Sequence, residues 1–308
     1  MGRCIARFSL PLLVACVALF AATGCSRSHE RGDLSGIVTV KDDLGREVTF
    51  AAYPRRVVAL APNLTECVFA IGCGDRLVGV TRYCDYPPEA LRIERVGDMV
   101  NPSIEAIVSR EPDLVLISTE GNARATFDRL DEIGIKTLIS NPRTLSDILG
   151  TIGMLGEALG ARERARRVQD SLAAFIRPIR GRYGPRVLFL VSLEPLMTVG
   201  RGSFLDALIT AAGLENAGAA GKGRYPVLGR EEVVRADPSY ILLSSDLATD
   251  SASAVRLFPE WRRLRAGREG GIRIANADIF LRPGPRAFEG LQILSELAAQ
   301  RRQGYDIP

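Results

Sequence analysis

The chain has 308 residues, 46% hydrophobic and 25% charged, with 40 basic against 36 acidic side chains and a formal net charge of +4. At about 150 residues per domain this is room for two globular units or one large one, and the composition excludes wholesale disorder, collagen-like repeats and a multi-span membrane protein. Basic residues are interleaved with acids, which speaks against nucleic acid as a partner, and a single histidine, His29, removes the usual His-based triads and most zinc sites.

Residues 1–24 carry Arg3 and Arg7, an apolar run over 10–22 and small residues just before Cys25. These are the marks of a secretory signal, and the run is short for a bilayer span. A Cys directly after small residues resembles the lipobox of bacterial lipoproteins, which implies lipidation of Cys25, membrane anchoring and a location outside the cytoplasm. Residues 25–36 then read as the lipidated Cys and a polar tether that contains His29. Of six cysteines, Cys67, Cys73 and Cys84 remain in the body. An odd number allows at most one disulfide, so the residues leave open buried free thiols or a Cys73–Cys84 bridge. Cys67 and Cys73 are about 240° apart on a helix at about 100° per residue and cannot share a metal.

The body opens with a hairpin signal, β-type runs over 37–40 and 47–50 around Asp42-Asp43-Leu44-Gly45. A buried strand over 56–60, a helix over 63–71 and a strand over 77–80 follow. Helices over 103–109 and 123–133 then alternate with strands over 114–118 and 137–139, a rhythm that predicts parallel sheets covered by helices. Residues 146–182 carry apolar side chains at helical spacing without Pro before Pro178, which predicts one long amphipathic helix with an interruption possible at Gly160. Strand patterning restarts at 186–191.

The second half repeats the first. The segment EAIVSREPDLVLIS at 105–118 aligns without a gap on EEVVRADPSYILLS at 231–244, a constant offset of 126 residues. Each reads as a short helix, a Pro turn and a buried strand. The organisation this predicts is an α/β protein of two Rossmann-like lobes, 37–143 and 184–308, joined by a long helix within 144–183. A cleft between such lobes is where a small ligand binds. Gly72-Cys73-Gly74 lacks the third Gly of a dinucleotide fingerprint, Gly221-Lys222 is no P-loop, and Ser203 has no His in the body to activate it. Nothing nominates an enzyme, which leaves capture of a solute ahead of a cell-envelope sensor or an α/β enzyme.

The stretches Val38 to Arg46 and Pro54 to Glu66 resemble the opening of substrate-binding proteins of iron-siderophore and cobalamin ABC importers. Tyr83-Cys84-Asp85-Tyr86-Pro87-Pro88, Gly121-Asn122-Ala123 and Gly134-Ile135-Lys136 resemble the cobalamin-binding branch. The resemblance implies the fold of class III periplasmic binding proteins, two α/β lobes bridged by a rigid helix. It also implies a monomer that works with an ABC permease and its ATPase and needs no cofactor or metal of its own. By position, Glu105 and Glu231 match the family's surface glutamates that dock onto permease arginines, and charge pairs of that kind fix orientation. A helix-dipole role for both glutamates is the bland alternative. The ligand-binding pattern maps onto Tyr83, Tyr225, Asp278 and Arg282, for cobalamin. Met99, Ser118 and Met197 stand where that pattern has aromatics. Arg82, Arg143, Arg201, Arg282 and Arg286 near strand ends keep a ferric siderophore or haem as the alternative ligand.

Overall fold

In the computed structural model, residues 35–176 and 184–302 are described, so the signal segment, Cys25 and His29 lie outside the described residues. Strands β1 (Ser35–Lys41) and β2 (Glu47–Ala52) form the expected antiparallel hairpin. Its turn is fixed by Asp42, whose carboxylate accepts from the Leu44 and Arg46 amides at 3.0 and 2.9 Å and pairs with the Arg46 guanidinium at 2.7 Å. Gly45, at φ 81°, supplies the left-handed residue the turn requires.

The first lobe then runs β3 (Val57–Ala59), α1 (Pro62–Ala70), β4 (Leu77–Val80), α2 (Ile104–Val108), β5 (Leu114–Ser118), α3 (Arg124–Glu132) and β6 (Thr137–Ser140). Its four strands are parallel in the order β4-β3-β5-β6. Helices α4 (Leu145–Ala158) and α5 (Arg162–Ala173) follow. The second lobe holds β7 (Arg186–Leu193), β8 (Leu196–Thr198), α6 (Phe204–Ala211), β9 (Glu215–Asn216), α7 (Arg230–Ala236) and β10 (Tyr240–Ser244). It continues with α8 (Ser251–Leu257), α9 (Arg265–Arg268), β11 (Ile272–Ala275), α10 (Ala277–Phe280) and α11 (Ala287–Arg302). Here β9, β7, β10 and β11 are parallel neighbours, and β8 adds an antiparallel partner to β7.

Both sheets are covered on both faces, because successive strand residues point opposite ways. Val57, Ala59, Leu114 and Leu116 face the large central core together with Val187, Phe189, Tyr240 and Leu242 from the second lobe. The alternate residues Val58, Val115 and Ile117 enter an outer core of the first lobe, and Leu188, Ile241 and Leu243 enter one around Trp261 in the second.

The repeat at offset 126 is structural to the residue. Strands β5 and β10 occupy 114–118 and 240–244, and α2 and α7 both start at the matching position. Glu111 and Asp237, each just before a proline, are the two non-glycine residues with positive φ among the described residues, at 45° and 36°. Each repeat also carries an arginine that covers the carbonyls at the end of its short helix. Arg56 Nε donates to Arg110 at 2.9 Å, and Arg186 Nη1 donates to Ala236 at 2.7 Å. The Ala236 carbonyl belongs to the last turn of α7, whose carbonyls a helix leaves unpaired, and the Arg110 carbonyl lies in the turn just after α2.

One expectation is corrected. The single long helix over 146–182 is two helices, folded back on each other at Gly160, which sits at φ 61°. A left-handed residue ends α4, and α5 packs against it. Gln169 donates to the Leu149 carbonyl at 2.7 Å, and Gly156 gives Ala165 room, since a Cβ there would lie 2.3 Å from the Ala165 Cβ. Residues 177–183, the end of the predicted helix, lie outside the described residues.

Candidate ligand-binding cleft

A cavity of about 300 Å³ lies between the lobes. Its lining comes from segments that follow the carboxyl ends of parallel strands in both sheets: Pro62 and Asn63 after β3, Tyr83 after β4, Ser118, Glu120 and Gly121 at the end of β5, Asp246 after β10, and Ala277, Asp278, Arg282 and Pro283 after β11. That is where open α/β sheets bind ligands, because the chain leaves each strand there in a loop that structure does not otherwise constrain. Met99, Val100 and Leu281 add apolar wall. Two shallower grooves are larger, at 380 and 390 Å³, but neither is walled by both sheets; one flanks Glu231 and the other runs between α1 and α5.

Three of the four ligand residues expected from the sequence come together here. Tyr83, Asp278 and Arg282 line the cavity, and Tyr83 is 46% exposed, with the Arg82 guanidinium over its ring at 5.3 Å. Tyr225 is not part of the lining. It stands across the mouth, its hydroxyl 3.5 Å from Glu120 Oε2, and burial followed by the Glu120 charge pushes its phenol above the usual range.

Arg282 is engaged by Asp278 at 2.5 Å and by Asp85, from the opposite lobe, at 2.6 Å. Behind it, Arg286 donates to Glu66 Oε1 at 2.7 Å and stacks over the Tyr86 ring at 4.3 Å, again across the lobes. Asn63 donates to the Pro283 carbonyl at 3.3 Å. The segment 281–286 is thus fastened to the first lobe by one ion pair at the cleft and another in the interior. Glu66 is 3% exposed and its Oε2 has no hydrogen-bond partner. Desolvation therefore pushes its carboxyl up, against the pull of Arg286 and Arg282. Partial burial acts on Asp85 in the same sense, but the Arg282 hydrogen bond and charge outweigh it and hold that carboxyl below the usual range.

At the other end Glu120 is ion-paired with Arg143 at 2.8 Å and accepts from Arg224, of the second lobe, at 3.4 Å. Its turn is braced by Asn122, which receives the Ser118 amide at 2.8 Å and donates to the Leu60 and Met99 carbonyls at 2.9 and 2.7 Å.

Glu120 and Asp246 in the lining, and Glu66 and Asp85 paired with the arginines at and behind it, are residues that motif reading misses. Only Glu66 leaves a trace in the sequence, an acid inside a helix whose neighbours Leu64, Cys67 and Val68 are all apolar and buried. Glu105 and Glu231 are exposed in the first turns of α2 and α7, at matching places in the two repeats. Its own amide and the Ser103 hydroxyl hold the Glu105 carboxyl below the usual range. Cys67, Cys73 and Cys84 are buried free thiols, and burial pushes those of Cys67 and Cys84 up. No group of His, Cys, Asp and Glu among the described residues is arranged to hold a metal.

The model of the periplasmic binding protein family matches residues 57–278. An uncharacterised ABC transporter substrate-binding lipoprotein of Bacillus subtilis (strain 168) is 30% identical over 92% of this chain and 94% of its own length. The crystal structure of the periplasmic vitamin B12 binding protein of Vibrio cholerae superposes with a TM-score of 0.69 at 27% identity, covering 81% of this chain and 98% of that one. A periplasmic heme-binding protein of Roseiflexus sp. RS-1 gives a TM-score of 0.70 at 28% identity, over 80% and 98%.

Proposed function

This chain belongs to the periplasmic binding protein family and is the substrate-binding component of an ABC importer; we propose that it captures a corrinoid, cobalamin, in the interlobe cleft. In this reading the chain is a lipoprotein anchored through Cys25 on the outer side of a membrane. Its role is capture and delivery, with no chemistry performed on the ligand and no cofactor of its own.

The observation that carries the ligand assignment is the makeup of the cleft. A partly exposed Tyr83 ring and apolar walls from Pro62, Met99, Val100 and Leu281 are combined with a few polar anchors, Asn63, Asp278 and Arg282. A flat macrocycle with an amide rim suits such a surface. The likeness to vitamin B12-binding relatives supports the same ligand. A cavity of 300 Å³ is at the small end of ligand sites, so loading parts the lobes at the mouth. Glu105 and Glu231, exposed on matching helices, dock the loaded protein onto arginines of the permease.

Calorimetric titration of the mature protein with cyanocobalamin tests the ligand; absence of binding at micromolar concentrations sinks it. The second reading, haem or a ferric siderophore in the same cleft, is favoured by the likeness to a heme-binding protein at 28% identity. The visible spectrum of protein purified from its host separates the two, since corrinoid, haem and ferric catecholate absorb differently.

A further inference from the structure

The arginines around the cleft are all engaged by carboxylates. Arg282 is held by Asp278 and Asp85, Arg286 by Glu66, and Arg143 and Arg224 share Glu120. Arg82, next to Tyr83, is tied to Asp98 at 2.7 Å. Arg201 and Lys222 are exposed, and neither lines the cavity. The lining itself carries Glu120, Asp246 and Asp278 against Arg282 alone. Adding the ion-pair partners of these residues, Glu66 and Asp85 on one side and Arg143, Arg224 and Arg286 on the other, still leaves one carboxylate in excess. That carboxylate is Asp246, which has no ion-pair partner among the described residues and is exposed at the cavity wall.

A polyanionic ligand needs free guanidinium forks, because bidentate pairing is what lets arginine grip carboxylate or catecholate oxygens. Here each fork would have to be taken from a carboxylate. Taking Arg286 would strand Glu66 in the interior, and taking Arg282 would leave Asp85 and Asp278 facing the incoming anion. Asp246 adds direct repulsion. We infer that the cleft selects uncharged or cationic ligands and rejects polyanionic ones, with Asp246 as the residue that sets the preference. This rests on the reading that the cleft is the ligand site, and it is independent of the ligand's being a corrinoid.

Cyanocobalamin and aquocobalamin share one frame and differ by a positive charge at the upper axial position, so their affinity ratio isolates charge from shape. At neutral pH and low salt, calorimetry on the wild type should give aquocobalamin an advantage of about threefold to tenfold, shrinking as salt is added. Asp246→Asn, an exposed substitution, should bring that ratio close to one. In parallel, a cationic ferric trihydroxamate should compete for the site, whereas haemin and a trianionic ferric triscatecholate should not. An unaltered ratio in Asp246→Asn overturns the inference, and so does binding of haemin or the triscatecholate as tight as that of the best uncharged or cationic ligand. If no corrinoid binds but the trihydroxamate does, and weakens in Asp246→Asn, the corrinoid assignment fails and the charge rule stands. Binding of none of these ligands removes the cleft as the site and the rule with it.

Discussion

Replacing Arg286 by Met asks what fastens the lobes to each other. The substitution keeps most of the stem's volume but removes the cation 2.7 Å from Glu66, a carboxylate whose side chain is 2% exposed. Breaking a buried pair from one side costs about 3–5 kcal/mol, because the surviving charge stays in the interior uncompensated. Arg282, 3.9 Å from the same oxygen, retains part of the compensation, so the low end, about 3 kcal/mol, is expected, with about 0.5–1 kcal/mol more from the lost stacking on Tyr86. For a body of this size that is a fall in Tm of about 7–16 °C. The loss should depend on pH in a definite sense. Burial raises the Glu66 carboxyl in the native protein while Arg286 lowers it, so removing Arg286 raises it further. A carboxyl whose folded value lies above its unfolded value stabilises fully below the unfolded one, and that stabilisation is lost as pH rises through the folded value. Arg286→Met should therefore be most damaging at neutral and alkaline pH and should recover as the pH falls toward the ordinary carboxylate range, where Glu66 takes a proton. The double change Glu66→Met with Arg286→Met removes both charges and should regain most of the loss. Thermal unfolding followed by circular dichroism at several pH values reads all three. A single-variant loss below about 1 kcal/mol, a loss independent of pH, or a double variant less stable than the single would refute the argument.

Other outcomes follow from the same geometry. Changing Glu105 and Glu231 together to Ala should abolish ligand uptake by cells while the purified variant binds ligand with unchanged affinity; uptake near the wild-type rate removes the docking role. Glu120→Gln should weaken the tie to Arg224 and Tyr225, and hydrogen exchange of the ligand-free protein should speed up across 221–227 by several-fold with the rest of the second lobe unchanged. Gly200→Ala should cost about 1–3 kcal/mol, since its Cβ would lie 2.2 Å from the Gly223 carbonyl and 2.8 Å from the Pro226 ring; denaturant unfolding at unchanged m-value checks this.

Much of the fold is legible in the chain because its signals are local. Alternating apolar strands and Pro turns recur at offset 126, and the structure repeats at the same offset down to the left-handed residue before each proline. What the pattern does not decide is the course of 146–182. Apolar spacing continues through Gly160 almost undisturbed, so periodicity favours one helix. The fold-back depends on the left-handed backbone at Gly160 and on Gly156 facing Ala165, contacts that form only once α5 has turned.

The cleft is less legible, and the reason is sequence separation. Tyr83, Asp278 and Arg282 are placed by resemblance to a family pattern, but nothing local marks the residues that hold them. Arg282 and Asp85 are 197 positions apart, Arg286 and Glu66 are 220, and Tyr225 and Glu120 are 105. Apart from Glu66, each of these side chains read alone is an ordinary surface charge or ring. Their significance comes from two sheets presenting the carboxyl ends of their strands to each other, which brings loops from both lobes within hydrogen-bonding reach. The two ends of the cleft are then held differently. Glu66 and Arg286 form a pair deep in the interior, where separation would expose two poorly solvated charges to a low dielectric before water could reach them. Glu120 meets Arg224 and Tyr225 at 3.4 and 3.5 Å in partial contact with solvent, where an ion pair contributes little and water replaces it at small cost. Parting the lobes therefore costs least at the Glu120 end.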